Sequence, residues 1–320
     1  MGRWNESSDA VLVLTAGVLW GTVGPAQVLA DSPAGPVAVG GARIFSGGLI
    51  LAGLVLVTRP GAFRTLTRRT WAPLAAASAS TGIFQSAFFS AVNLTGAAVA
   101  TAVVFGLVPV SAGLCERIAL GSRLGRRWWA GTACAVAGVA LLSAPGTDAR
   151  VDPAGLVLGL LAGTCFGVYA VAARILNGQG AGMTAAVSVT LLAGGSALLP
   201  WTLAELPALA APRSVALVVW LAVAATAVAY MCFVTGLGRV TAAAAGTLSL
   251  VEPLVAAALA IWLLGERMSA PVTAGALLLL SGLAAVSIPA REPRRPSPAR
   301  YDDAHVTGAV KVEATTGERK

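Results

Sequence analysis

Residues 241–264 read TAAAAGTLSLVEPLVAAALAIWLL. Glu252 is the one charge in that run, and Pro253 follows it. About 20 mostly apolar residues are needed to cross the hydrocarbon of a bilayer as a helix, and this stretch supplies them. Composition decides between a membrane span and the buried helix of a soluble protein. The chain has 320 residues, 57% hydrophobic and 11% charged, with a mean hydropathy of +0.80. A soluble domain carries about 25% charged residues, because its surface must meet water. Lipid has to cover the difference.

Working outward, similar runs predict spans near residues 10–30, 36–57, 71–93, 97–120, 128–144, 154–176, 182–202, 213–236, 241–264 and 271–288. The expected architecture is an all-α membrane protein of ten transmembrane helices. A polar N-terminus (1–9) precedes a first five-helix unit (10–144). A short linker (145–153) joins it to a second unit (154–288), and the tail (289–320) reads as disordered from its Pro, Arg and Asp content and its lack of apolar periodicity. The first run lacks a small-residue cleavage site and contains Pro25, so it is read as a retained helix rather than a signal peptide.

Lysine and arginine mark the cytoplasmic side. With the N-terminus inside, eighteen basic residues fall inside, among them Arg59, Arg64, Arg68, Arg69, Arg117, Arg123, Arg126, Arg127, Arg174 and Arg239. Only Arg150, Arg213 and Arg267 fall outside, and Arg43 lies within a span. The Ala-, Gly-, Val- and Arg-rich, Lys-poor composition points to a bacterial inner-membrane protein, and the basic bias predicts that both termini are cytoplasmic. It also explains the net charge of +8 without nucleic acid, because the basic residues sit at the ends of apolar segments. Cys115, Cys134, Cys165 and Cys232 lie in apolar runs without metal-ligand spacing, and the single histidine, His305, lies in the tail. No cofactor or metal is expected.

The chain repeats itself. At an offset of 144, Pro109 falls on Pro253, Leu120-Gly121 on Leu264-Gly265, Arg123 on Arg267, Gly131 on Gly275 and Gly138 on Gly282. At 146, Trp20-Gly21 falls on Phe166-Gly167, and at 147 Gly47-Gly48 falls on Gly194-Gly195. Five spans per unit is an odd number, so the second unit must enter the membrane from the opposite side. Inverted repeats of this kind supply two conformations of similar energy, which alternating access requires.

These residues carry a resemblance. Leu250-Val251-Glu252-Pro253 followed by Leu263-Leu264-Gly265-Glu266-Arg267-Met268 resembles the "EP…LGER" signature of the EamA family in the drug/metabolite transporter (DMT) superfamily. The resemblance covers roughly residues 10–290 and implies ten helices and transport, often export, of small metabolites. The first copy departs from it, with Val108 before Pro109 and Ser122 after Gly121. Any role of those carboxylates therefore rests on the second half.

Polar groups in hydrocarbon are costly and need a reason. Glu252 reads as a site for a substrate amine or a proton, or as a structural carboxylate bonded to a neighbouring helix. Arg43 reads as a partner for a substrate carboxylate, as a donor to helix ends, or as a snorkelling side chain. Trp20, Gln85, Tyr169 and Tyr230 are mid-span groups with a hydrogen-bond handle, suited either to a cavity wall or to helix packing. Glu116 precedes Arg117 and reads as an interfacial ion pair. Glycines at i+4, Gly17 and Gly21 in the first span and Gly155, Gly159, Gly163 and Gly167 in the sixth, read as packing seams.

The expected function is secondary transport, with export the favoured direction. One deep acid and one deep base suit a zwitterion such as an amino acid or a close derivative; a neutral metabolite or drug-like compound is the alternative. The lack of further buried cations weighs against phosphorylated substrates. No ATP-binding loop is present, so energy would come from the substrate gradient or from protons. A channel would need a filter or a charged ring, and a membrane-embedded enzyme would need clustered Asp, His or metal ligands. A monomer in the lipid bilayer, binding only its small-molecule substrate, is the default.

Overall fold

The computed structural model describes residues 2–142, 152–264 and 270–287. The chain divides into a unit of residues 1–288 and a separate one of 289–320. The expected disordered tail, most of the linker and the Gly265-Glu266-Arg267-Met268 part of the signature lie outside the described residues.

The described residues are helical, without strands. In order they form α1 (Gly2–Gly21), α2 (Val23–Ala30), α3 (Pro36–Thr58), α4 (Trp71–Thr95), α5 (Ala97–Leu120), α6 (Arg126–Leu142) and α7 (Pro153–Gly178). Then come α8 (Met183–Ser196), α9 (Leu199–Ala204), α10 (Leu206–Leu209), α11 (Pro212–Ala222), α12 (Ala229–Gly236), α13 (Ala242–Leu248), α14 (Val251–Leu264) and α15 (Ala270–Ser287). Six stretches are long and apolar enough to cross a membrane: Ser8–Ala30, Pro36–Thr58, Val99–Leu120, Pro153–Gly178, Pro212–Gly236 and Ala242–Leu263. Large apolar side chains such as Val57, Ile118, Trp262 and Leu277 point outward. In water such a surface would drive association; in lipid it is the required coat.

Several expected spans are interrupted. α1 begins at Gly2, before the apolar run expected from residue 10, and stops at Gly21; the chain resumes as α2 after Thr22. The run 182–202 breaks at Ala197-Leu198, and a π-helical turn over Val223–Val228 joins α11 to α12. The run 241–264 breaks at Ser249-Leu250. Here Ser249 Oγ donates to the Ala245 carbonyl (2.8 Å), and Glu252 N–H reaches Ser249 O (3.0 Å) in a tighter turn. Pro253 has no N–H to continue the ladder.

Equivalent positions of the two halves meet reciprocally. A Cβ on Gly48 would meet the Leu192 backbone at 2.9 Å, and one on Gly195 would meet the Phe45 backbone at 2.9 Å. These are the same contact seen from each half, since 45 and 48 map to 192 and 195 at the offset of 147. Gly138 on Gly275 and Gly131 on Gly282 repeat the pattern between α6 and α15. α1 lies on α14 through Gly17 and Gly21, as α7 lies on α5 through Gly159, Gly163 and Gly167. The glycines let these backbones approach closely, so the packing seams read from the sequence are present.

α1 starts at the end of the bundle where α7 finishes: Asp9 meets Arg239 there, and Glu116 meets Arg174. Arg59, Arg64, Arg68, Arg69, Arg117, Arg123, Arg126, Arg127, Arg174 and Arg239 all lie at this end by helix direction. Asp31 and Arg213 pair at the opposite end.

Candidate functional site

The interruptions and the meeting of the halves create a cavity of about 310 Å³, at the small end of the range for small-molecule sites. Trp20, Arg43, Gln85, Tyr169, Tyr230 and Glu252 all line it. The six side chains singled out from the sequence come from α1, α3, α4, α7, α12 and α14, and the fold brings them to one place. Each half contributes three.

α1 stops one residue after Trp20, where Thr22 Oγ1 caps back to the Leu19 carbonyl (2.7 Å) and accepts from Trp220 Nε1 (3.2 Å). The Trp20 ring meets Phe166, its repeat equivalent, edge-on at 6.0 Å, and Tyr230 at 5.5 Å. Tyr230 in turn meets Tyr169 edge-on at 5.6 Å. The π-helical turn adds a residue to the ladder just before Tyr230, which rotates that side chain relative to a regular helix; such turns recur at functional sites. These rings form a floor under the cavity.

Arg43 is buried at 9% exposure, and its Nε and Nη1 have no hydrogen-bond partner among the described residues. It neither snorkels nor bonds a helix end through those atoms. The Tyr169 hydroxyl is likewise buried and without a partner among the described residues. Unmet buried donors are costly, most of all on a charged group, and both of these residues line the same cavity. Glu252 is half-buried and forms no salt bridge with Arg43 among the described residues. It sits in the first turn of α14, where the helix dipole favours a carboxylate. One cavity thus brings together a guanidinium, a carboxyl group, an amide and two phenols.

The rest of the wall was not legible as a site. Phe84, Phe88, Phe89, Phe105 and Phe166 line the cavity, five of the eight phenylalanines in the chain. The signal was present: Phe84 and Phe88 flank Gln85 at helical spacing and stack at 5.8 Å. The cavity extends to Gln27, Val92, Pro36 and Ala97, the last two being the first residues of α3 and α5. It therefore opens at the end of the bundle opposite the arginine-rich one. A separate groove of about 530 Å³ runs along the outer face between α4, α7 and α8, lined by small and apolar residues without a charge.

Glu116 corrects an expectation. It is 1% exposed and does not form an interfacial pair with Arg117. Its Oε1 lies 3.4 Å from Arg174 Nε, and its Oε2 accepts from Ala243 N–H at 2.7 Å. Adjacency in sequence misled here: consecutive residues on a helix point about 100° apart, so Arg117 faces outward while Glu116 faces the second half.

The profile of the EamA-like transporter family matches residues 8–144 and again 153–288. An uncharacterized transporter, YwfM, of Bacillus subtilis is 34% identical over 88% of this chain and 95% of its own length. An uncharacterized protein of Pseudomonas aeruginosa is 30% identical over 82% of this chain and 87% of its own. A solved crystal structure with 21% identity shares the fold, with a TM-score of 0.73 over 87% of this chain and 96% of that one.

Proposed function

The chain belongs to the EamA-like transporter family, within the DMT superfamily, and is a multi-pass membrane protein; on that premise we propose that it is a secondary transporter of a small zwitterion, an amino acid or close derivative, working by alternating access. The family and its relative's name speak for a transporter rather than an enzyme. In this reading the helices group into ten spans forming two inverted five-helix repeats, residues 10–144 and 154–288. Residues 1–9 and 289–320 are cytoplasmic, and 145–153 form the external linker. The arginine-rich end is the cytoplasmic one, the membrane is a bacterial inner membrane, and the physiological direction is export. The substrate gradient or protons drive it.

The observation that carries the substrate class is a guanidinium and a carboxyl group lining one cavity without a salt bridge between them. Arg43 offers unpartnered guanidinium donors, Nε and Nη1 among them, to a carboxylate, and Glu252 faces an ammonium group from the other half. The phenylalanine wall takes the apolar body. That wall also favours a second reading, a neutral or drug-like apolar compound.

The test is counterflow in proteoliposomes with a panel of labelled amino acids beside neutral aromatic compounds. Saturable exchange of an amino acid supports the proposal. Exchange of neutral compounds alone moves the assignment to the second reading. Flux that neither saturates nor shows counterflow makes the protein a channel and ends the carrier reading.

A further inference from the structure

The cavity is open at one end and sealed at the other, and the seal has a buried polar centre. Below the aromatic floor, Val108, Ala112, Phe233, Ala242 and Ala245 are fully buried. α5 and α13 press together there, with Gly246 of α13 against Val108, Pro109 and Ala112. Glu116, from the first half, ends this seam and makes two contacts to the second half. Its Oε1 meets Arg174 Nε of α7, and its Oε2 takes the Ala243 N–H at the start of α13. Arg174 Nη1 also donates to the Val240 carbonyl at 2.5 Å. The carboxylate and the guanidinium together grip residues 240–243, the loop that feeds the broken helix bearing Glu252.

We infer that Glu116 is a positioning residue for transport: with Arg174 and the Ala243 N–H it forms the latch that holds the arginine-rich end closed while the cavity faces the other side. Opening at that end requires α5 to part from α13; the Ala243 contact of Glu116 crosses that boundary directly, and Arg174 of α7 ties the carboxylate to Val240 just before α13. A charged hydrogen bond shielded from water is stronger than a neutral one. The exposed Arg239–Asp9 pair at 3.5 Å also joins the halves at this end, but solvent weakens such pairs to little effect. Two neutral buried contacts also join the halves here, Trp128 Nε1 donating to the Ala243 carbonyl at 3.0 Å and Thr132 Oγ1 against Thr247 Oγ1 at 2.8 Å; the Glu116 carboxylate adds the buried charge to them. At the opposite end the halves touch through Asp31–Arg213 and through Gly35 N–H to Glu205 Oε2 at 2.5 Å. Those contacts tie the α2–α3 turn to the α10–α11 region and leave the cavity mouth free.

This inference rests on the carrier reading, but its test needs neither substrate nor flux. Cys165 lines the cavity. With Cys115, Cys134 and Cys232 replaced by Ser, a membrane-impermeant methanethiosulfonate reagent is applied to oriented vesicles from either side. Cys165 is expected to label from the outside. Glu116→Gln, which keeps the shape and loses the charge, is expected to shift the ratio of outside to inside labelling rates about tenfold toward the inside, the weight of one charge-assisted bond exchanged for a neutral one, most visibly as a rise in the inside rate. Glu116→Asp, which keeps the charge but shortens the reach, is expected to fall between, and it serves if the Gln variant does not fold. Arg239→Ala is expected to leave both rates near those of the parent. A merely structural role would lower yield or thermal stability and leave the two rates unchanged in the folded protein. Unchanged rates in both Glu116 variants, or a parent that does not label from the outside, would overturn the latch. Counterflow as described above would still stand or fall by itself.

Discussion

Pro109 and Pro253 occupy the same place in the two halves, yet α5 runs unbroken past Pro109 while the helix at Pro253 is cut at Ser249-Leu250. Proline is therefore not enough to break the helix. The residues one turn earlier differ: Ser249 and Thr247 in the second half stand where Phe105 and Val103 stand in the first. Ser249 and Thr247 both bond back to carbonyls four residues earlier, which competes with the ladder and weakens it. Phe105 and Val103 have no such group. The residue before each proline differs too. Val108 is fully buried in the seam against α13, whereas Glu252 faces the cavity. The comparison teaches that α5, at its proline, serves as packing, whereas its counterpart α14 turns a polar group to the cavity.

The severest way to break that comparison is to give the first half the missing acid. Val108→Glu places a carboxylate in a seam with no partner, and burial of an unpaired charge costs several kcal/mol. The expected result is loss of folded protein on size-exclusion chromatography, with no rescue when combined with Glu252→Gln. Next in size, Glu252→Gln in the wild-type background is expected to fold normally and to reduce counterflow of a zwitterion about 100-fold, read as initial exchange rate. Arg43→Gln is expected to raise the half-saturation concentration of carboxylate substrates by roughly 10- to 100-fold, the range for a hydrogen bond to a charged group, with less effect on esters or amides of the same compounds. The smallest effect belongs to Ser249→Ala, which removes one back-bond: a change of at most about 1 kcal/mol in stability and a few-fold slower exchange as the helix straightens. Equal effects of Ser249→Ala and Phe105→Ala on exchange would erase the distinction between the two prolines.

Much of this was written in the chain. The offset of 144 matched Gly131 and Gly138 to Gly275 and Gly282, and the fold uses those glycines as mutual contacts. Trp20 and Phe166, aligned at 146, meet face to edge. The rarity of polar groups in hydrocarbon was sufficient to pick six side chains that share one cavity. What escaped were properties that depend on rotation about a helix or on a partner far away in sequence. The partner of Glu116 is 58 residues on, at Arg174, and no periodicity announces it. The cut at Ser249 needed two hydroxyls and a proline acting together, each of which is tolerated singly. The phenylalanine wall looked like ordinary apolar sequence, because in a membrane protein an inward Phe and a lipid-facing Phe cost the same to write.

The account stands on the claim that the substrate occupies the cavity walled by Arg43, Glu252 and Cys165. The most direct measurement is the labelling rate of Cys165, with the other three cysteines replaced, as the transported compound is titrated in. The account predicts that labelling slows in a saturable manner, with a midpoint that matches the half-saturation concentration for counterflow and shifts with Arg43→Gln. Labelling that stays unchanged at substrate concentrations that saturate counterflow would contradict it and place the transport path elsewhere in the bundle.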